Sequence, residues 1–399
     1  MLSSNLLEIL RLFIVLVSAV GLFFSLWIII PAPTFSLLPL GVGAPEISPW
    51  LIVSNAIALL LVIPQLKYGV ICDVALLASL LGLFFSFLPL IQLPAANASF
   101  KQEMKTVLGA NYLDKIPASL QTKMRPQPFV LLDVFRGIPL PEVRIQRGIV
   151  FASPDGVDLQ LNLYKPTRKG KYPGIIIIYG GAWQSGTANN NEAFSRYMAG
   201  QGYSVIAIDY RHAPQYRFPA QLEDVQTALK YIQDNADELE VDCDRLAIMG
   251  RSSGGHLAKL AAYQPDAIPF RAVVSYYGSS NLTAGYHNPP FPNPINTRAI
   301  LHDFLGGTPQ ERPEIYQKAS PINYVRPDLP PSLLVYADRD HIVQSQFGDR
   351  LYQKLCSVDN SAVFLNIPWA EHAFDAVFFG LSNQLALYYT ERFLAYYLI

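Results

Sequence analysis

The sequence predicts an α/β protein, a mostly parallel central sheet with helices on both faces, preceded by a three-helix transmembrane segment. Three observations carry that expectation. The first hundred residues hold three apolar stretches with almost no charge; from about residue 145 short apolar runs alternate with helical ones; and a G-x-S-x-G run sits between one such strand and one such helix.

The charge distribution separates the two regions. Residues 1–100 contain Glu8, Arg11, Glu46, Lys67 and Asp73 as their charged side chains, which leaves 28 basic and 28 acidic residues in 101–399. That even balance gives no electrostatic reason to expect a nucleic-acid partner. The 399 residues suffice for a small domain and a large one. Cys72, Cys243 and Cys356 are too few and too scattered for a disulfide framework or a metal knuckle, with one Cys243–Cys356 bridge left open.

Residues 12–30, 47–66 and 74–93 are the apolar stretches, and together they define a transmembrane region over 1–93. At 1.5 Å per residue the first would span about 28 Å, close to a bilayer core. A signal peptide is the rival for that stretch, but its run is long for one and two more spans follow. Pro49, Pro64 and Pro89 trim the ends of the later stretches. Arg11 before the first span, no Lys or Arg in 31–46 and Lys67 in the next loop fit a cytoplasmic start and three crossings. The expectation is an integral membrane protein with its catalytic domain outside the cytoplasm, although Lys101, Lys105, Lys115, Lys123 and Arg125 pull the other way. Asn97 and Asn281 open glycosylation sequons.

Residues 94–144 read as a linker with short amphipathic pieces, 97–109 among them, and 145–399 as the catalytic domain. The run 157–163 alternates with period two, as in a half-exposed antiparallel strand. Runs at 174–179 and 203–209 are continuous apolar runs, as expected for strands buried on both faces, and 245–249, 270–276, 332–336 and 362–367 continue the series, with helical segments at 220–235 and 254–264 between them. A small cap insertion is expected at about 279–318.

Chemistry enters with Gly250-Arg-Ser-Ser-Gly254. A tight strand-to-helix turn would hold Ser252 strained and exposed, with the helix N-terminus behind it favouring developing negative charge. Serine attack needs a base and an orienting acid, in the order Ser, acid, His. That order leaves His287, His302, His341 and His372. His372 follows the strand-like run 362–367 and lies where a base can reach over the serine; His287 and His302 fall in the Pro- and Asn-rich insertion. His341 adjoins the acid and His256 reads as a packed helix residue. For the acid, Asp340 lies in the loop after the run 332–336, whereas Asp338 sits tight against the strand end and suits a turn. The expected triad is Ser252, Asp340 and His372. Tyr179-Gly-Gly-Ala-Trp183 ends a buried strand, so the amides of Gly181 and Ala182, joined by that of Ser253, would form an oxyanion hole. No cofactor or metal is implied.

Together these residues resemble the hormone-sensitive-lipase and related carboxylesterase branch of the α/β-hydrolases. Tyr179-Gly-Gly-Ala matches its His-Gly-Gly-x motif; Tyr210-Arg-His-Ala-Pro214 with Phe218-Pro-Ala-Gln-Leu-Glu-Asp224 matches a second; and Gly255-His-Leu-Ala258 follows the nucleophile as in the third. The likeness covers roughly 145–399. It implies an α/β-hydrolase fold and serine carboxylesterase or lipase-like activity on small-molecule or lipid esters through an acyl-enzyme. The second motif reads as support for the oxyanion loop. Tyr179 stands where the family has histidine, so that residue's bracing hydrogen bond must come from the phenol or be lost. The three-span layout is also similar to isoprenylcysteine methylesterase-like proteins. A prolyl-peptidase-like amidase, a lipid deacetylase and a non-catalytic membrane scaffold are the rival readings. Phe291, Ile295, Ile300, Leu301 and Phe304 of the insertion either line an acyl pocket or form the cap's own core, and a closing helix is expected at 381–399.

Overall fold

The computed structural model describes residues 4–398, without the side chains of 4–7, 67 and 68. The Lys67 side chain of the orientation argument and the last residue, Ile399, therefore lie outside the described residues.

The N-terminal region is built from α1 (Ser4–Leu26), α2 (Leu38–Glu46), α3 (Ser48–Val62) and α4 (Val70–Leu108). Three helical segments, Glu8–Leu26, Ser48–Leu66 and Val70–Leu108, are long and apolar enough to cross a membrane. Their polarity is inside out. Leu12, Phe13 and Leu16 of α1, Leu60 of α3, and Val74, Leu77 and Phe84 of α4 are exposed, while Ser18, Ser25, Asn55, Ser79 and Ser86 are buried between the helices. Asn55 donates to Ser25 Oγ at 2.9 Å and to Leu51 O at 2.8 Å, and Ser79 donates to Ser18 Oγ at 3.0 Å. Gly21 and Gly82 make room for Asn55: a Cβ at either would lie 2.3 or 2.4 Å from its Oδ1. Small residues with interhelical hydrogen bonds are how helices associate where water supplies no hydrophobic drive.

Two boundaries differ from the sequence expectation. The first apolar helix stops at Leu26, and residues 27–30 form turns. The third does not end near 93: α4 runs unbroken through Pro89 and Pro94 into the stretch read as linker. Its continuation buries Ala96, Phe100, Met104 and Leu108, one stripe at four-residue spacing, in the core of the sheet domain. That stripe offsets a proline cost of about 3 kcal/mol each. The expected amphipathic piece at 97–109 is thus the last part of α4. Downstream, Leu120 of the short helix Ala118–Gln121 packs with Ala395 of the C-terminal helix, while Leu131–Arg136 packs on α3, where Trp50 Nε1–H donates to Val134 O at 3.0 Å, and between them Arg125 meets Asp133 and Gln384.

Eight strands form one sheet: β1 (Arg144–Ala152), β2 (Leu159–Lys165), β3 (Tyr172–Ile178), β4 (Ser204–Ile208), β5 (Val241–Arg251), β6 (Ala272–Tyr276), β7 (Ser332–Ala337) and β8 (Ala362–Ile367). Their order is β1-β2-β4-β3-β5-β6-β7-β8, antiparallel at β1–β2 and β2–β4 and parallel elsewhere. The uninterrupted isoleucines of β3 show why the central strands read as solid apolar runs. Ile176 and Ile178 enter one core, under helices Ala220–Asp234 and Ser253–Tyr263, and Ile175 and Ile177 enter the other, under Glu192–Gln201 and Leu381–Leu398. The edge strand β1, half-exposed and bulged, has no counterpart among the strand-like runs of the sequence. Three short helices, Leu282–His287, Thr297–Leu305 and Pro313–Lys318, occupy the insertion between β6 and β7. All three cysteines are free thiols.

The segment 31–46 is folded onto the sheet domain. Ala32, Leu38 and Val42 cluster with Ile342 packed against them, and the Arg339 guanidinium donates to the Ile29 carbonyl. Glu46 is fully buried and its Oε2 accepts the Ser382 N–H at 2.8 Å, capping the C-terminal helix. Burial, with a smaller push from Asp375, raises the Glu46 carboxyl to about 8.

Candidate active site

β5 ends at Arg251 and the next helix starts at Ser253, so Ser252 makes the turn alone, with φ 52° and ψ −120°. A β-carbon in that region is strained, and the strain holds because both backbone groups are tied: Ser252 N–H donates to Tyr276 O at 3.0 Å and Ser252 O accepts from His256 N at 2.9 Å. The turn tolerates no side chain at its flanking glycines. A Cβ on Gly250 would lie 2.1 Å from Gly254 O, and one on Gly254 would lie 2.1 Å from Ile178 O.

The loop after β8 brings His372 over this turn. Ser252 Oγ lies 2.9 Å from His372 Nε2, and His372 Nδ1 lies 2.7 Å from Asp340 Oδ2. With Nδ1 protonated, the serine hydroxyl donates to Nε2 and the ring donates to the carboxylate. The other oxygen of Asp340 accepts the N–H groups of Ile342 and Val343, each at 2.7 Å. Burial pushes the Asp340 carboxyl up, and the facing imidazole and the Val343 amide oppose that push. Asp338 is directed elsewhere, accepting from Ser345 Oγ and Asn366 Nδ2 at 3.3 and 3.0 Å. His287 and His302 are exposed on the insertion helices. His341 is held by Glu371, whose hydrogen bond raises its basicity.

At the end of β3 the chain turns sharply, with positive φ at Gly181 (152°), Ala182 (54°) and Trp183 (60°). A Cβ on Gly181 would lie 1.9 Å from Ser185 O. Gly181, Ala182 and Ser252 line one cleft, and Ala182, Ser252 and Ser253 line an adjoining pocket. Among the described residues the amides of Gly181, Ala182 and Ser253 make no backbone–backbone hydrogen bond outside helices and strands.

The loop carrying these amides is braced from several sides. Ala213 N–H donates to Trp183 O at 2.9 Å, which links the second family-like motif to the loop. Within that motif Arg211 pairs with buried Asp224, Nη2 to Oδ1 at 2.8 Å. Tyr179, in the family histidine's place, stacks on Tyr210 at 4.5 Å and its hydroxyl lies 2.9 Å from His212 Nε2, so the phenol does supply a bracing bond. Trp183 Nε1–H donates to His256 Nδ1 at 3.1 Å, and His256 Nε2 lies 2.6 Å from Ala319 O. Burial lowers His256 to about 3, so it is neutral, donates from Nε2 and accepts at Nδ1.

Sequence reasoning does not reach two of the groups around the triad, and leaves the place of a third, Phe304, open. Glu371 accepts from His341 N, His341 Nδ1 and His372 N, tying the acid loop to the base loop; its place beside His372 is the available signal. Buried Arg251 pairs with Asp375, and Tyr277 donates to the same carboxylate while its ring lies 4.5 Å from the His372 ring. Phe304 stacks on Trp183 at 4.2 Å. The insertion's apolar residues therefore divide: Phe304 is core, Ile295, Ile300 and Leu301 line the pockets, and Phe291 is 96% exposed.

Comparisons with known proteins bear on the fold and the kind of relative. The BD-FAE family description matches residues 161–355. Esterase LipC of Mycobacterium tuberculosis is 32% identical over 51% of this chain and 53% of its own length. The probable carboxylic ester hydrolase LipM of the same organism is 29% identical over 57% of this chain and 54% of its own length. The chain thus spans about half the length of each of these two relatives. Among solved structures, Thermogutta terrifontis esterase 2 phosphonylated by sarin covers 60% of this chain and 88% of itself, at 23% identity and a TM-score of 0.50. At that identity the likeness speaks for the fold, which is that of the α/β-hydrolases.

Proposed function

We propose that this chain, an α/β-hydrolase related through its sheet domain to carboxylic ester hydrolases, is a membrane-anchored serine esterase that works through an acyl-enzyme. The observation that carries the proposal is the hydrogen-bonded line from Ser252 Oγ through His372 to Asp340, opening on a cleft beside three unengaged amides. In this reading Ser252 Oγ bonds to the ester carbonyl carbon as its proton passes to His372 Nε2. Asp340 fixes the imidazole tautomer and stabilises the imidazolium. The amides of Gly181, Ala182 and Ser253 receive the oxyanion, each such donor contributing on the order of 3 kcal/mol. The ester C–O bond then breaks, His372 returns the proton to the leaving alkoxide, and water repeats the sequence to release the acid.

The inside-out polarity of α1, α3 and α4 supports bilayer insertion: apolar side chains outward, a seryl and asparaginyl seam within. Segment 31–46 and the sheet domain share one side, as an odd number of crossings requires. Arg11 on the opposite side supports a sheet domain outside the cytoplasm. Fluorophosphonate labelling tests the chemistry: the full-length chain should be labelled and Ser252→Ala should not. Folded protein without Ser252-dependent labelling would overturn the reading. A protease-cleavable C-terminal reporter tests sidedness, since protection in right-side-out vesicles contradicts it.

A further inference from the structure

Two cavities meet at Ser252, and they differ in size and in what surrounds them. One is a tight pocket of about 50 Å³, walled by apolar side chains including Leu282, Ile300, Leu301, Val343 and Phe347. A cavity needs roughly 10–15 Å³ to hold a single water, so the pocket holds only a few heavy atoms. The other is an open cleft of about 760 Å³ that includes His372, Ala373 and Tyr277. Its far wall comes from the segment between the first two apolar helices, through Phe35 and Leu38.

Chemistry assigns the two parts of an ester to these spaces. The proton taken from Ser252 must be handed by His372 Nε2 to the leaving oxygen, so the alcohol lies on the histidine side. His372 borders the cleft and not the tight pocket. The acyl group, pointing away from the imidazole, is left with the tight pocket. Exposed apolar groups sit at and near this cleft: Phe35, 68% exposed, lines it from the N-terminal region, and Phe291, 96% exposed, lies two residues before the cleft-lining Asn293, while Gln184, Asn190 and Asn191 add polar groups to its wall. At the near end of α3, exposed Leu131 and Leu132 flank Phe135, whose ring packs on Trp50 at 4.7 Å. Exposed apolar side chains beside a tryptophan at the end of an apolar helix fit a surface seated on lipid headgroups.

We propose that segment 31–46 is part of the substrate site rather than a tether, walling the leaving-group lobe, and that the preferred substrate is a short-acyl ester of a large lipophilic alcohol taken from the bilayer surface. The proposal rests on the ester-hydrolase reading of Ser252. The same segment also packs on the acid loop beside Asp340, through Ile342 on Ala32, Leu38 and Val42, and just ahead of the segment the Ile29 carbonyl accepts from Arg339 on the other side of Asp340.

The test uses the full-length protein in detergent micelles with two isomeric esters, hexadecyl acetate and ethyl palmitate, which share lipophilicity but reverse the long chain. Hexadecyl acetate should have the higher kcat/KM by about tenfold or more. Phe35→Ala, and Phe35→Ala with Leu38→Ala, should lower the ratio of kcat/KM for hexadecyl acetate over ethyl acetate, by about tenfold in the double variant. Leu60→Ala, an equal apolar loss on the outward face of α3, should leave the ratio unchanged. Fluorophosphonate labelling of each variant shows that it is folded. Equal or reversed preference for ethyl palmitate, or an unchanged ratio in labelled double variant, overturns the inference while leaving the esterase reading intact. Wild-type protein that neither labels nor cleaves any ester overturns both.

Discussion

Glu46 offers a quantitative test of how the anchor and the sheet domain are joined. Its carboxyl is fully buried at the cap of the C-terminal helix, and burial raises it from 4.5 to about 8. A carboxyl raised on folding binds its proton more tightly in the folded state. The stability it contributes is therefore complete below its unfolded value and is lost as pH rises through the folded one. The penalty grows between 4.5 and about 8 and then levels off. At about 1.36 kcal/mol for each tenfold difference in proton affinity, it is about 1 kcal/mol at pH 5 and about 4 kcal/mol at pH 8. Glu46→Gln keeps an acceptor for the Ser382 N–H but cannot ionise. Urea unfolding of the full-length protein in a mild detergent, followed by tryptophan fluorescence, should find the variant's advantage over wild type growing by about 3 kcal/mol between pH 5 and pH 8. A difference independent of pH, or one that shrinks as pH rises, would refute the reasoning.

Other outcomes follow from the site and the anchor. Asp340→Asn should lower kcat by about four orders of magnitude by leaving the imidazole in the wrong tautomer, whereas Asp338→Asn should change it less than about twofold; steady-state hydrolysis of p-nitrophenyl acetate distinguishes them. Trp183→Phe removes the donor to His256 Nδ1 and should cost about 1–3 kcal/mol of stability with a several-fold loss of kcat/KM, read from denaturation and kinetics together. Asn55→Ala empties the polar seam of the anchor and should destabilise the three-helix packing by about 1 kcal/mol in detergent unfolding, with p-nitrophenyl acetate turnover unchanged.

Much of the site is legible in the sequence because its members are marked locally. Ser252 sits in a motif that needs small neighbours for a close strand–helix approach, and the clashes a Cβ would make at Gly250 and Gly254 are the same requirement seen in space. Asp340 and His372 each follow a strand end, where loops of a parallel sheet converge. The braces are not legible, because each joins groups far apart in the chain: Trp183 to His256 and Phe304, Arg251 to Asp375, Arg339 to Ile29. The extent of α4 escapes a sequence reading for a related reason. Two prolines and a change from apolar to amphipathic sequence suggest an ending, but the stripe Ala96, Phe100, Met104, Leu108 has a partner surface that only the folded sheet provides.

That unbroken helix has a kinetic consequence. The 39 residues of α4 measure about 58 Å at 1.5 Å per residue, a single strut with one end among the apolar helices and the other in the sheet domain. In the proposed membrane-anchored esterase such a strut would hold Ser252 close to one height above the lipid, where a domain on a loose leash would swing out to sample bulk solution. Encounter would then be lateral diffusion in two dimensions. Turnover on a membrane-resident ester should then scale with its mole fraction in the bilayer and be diluted by adding inert lipid, even when its bulk concentration is held constant.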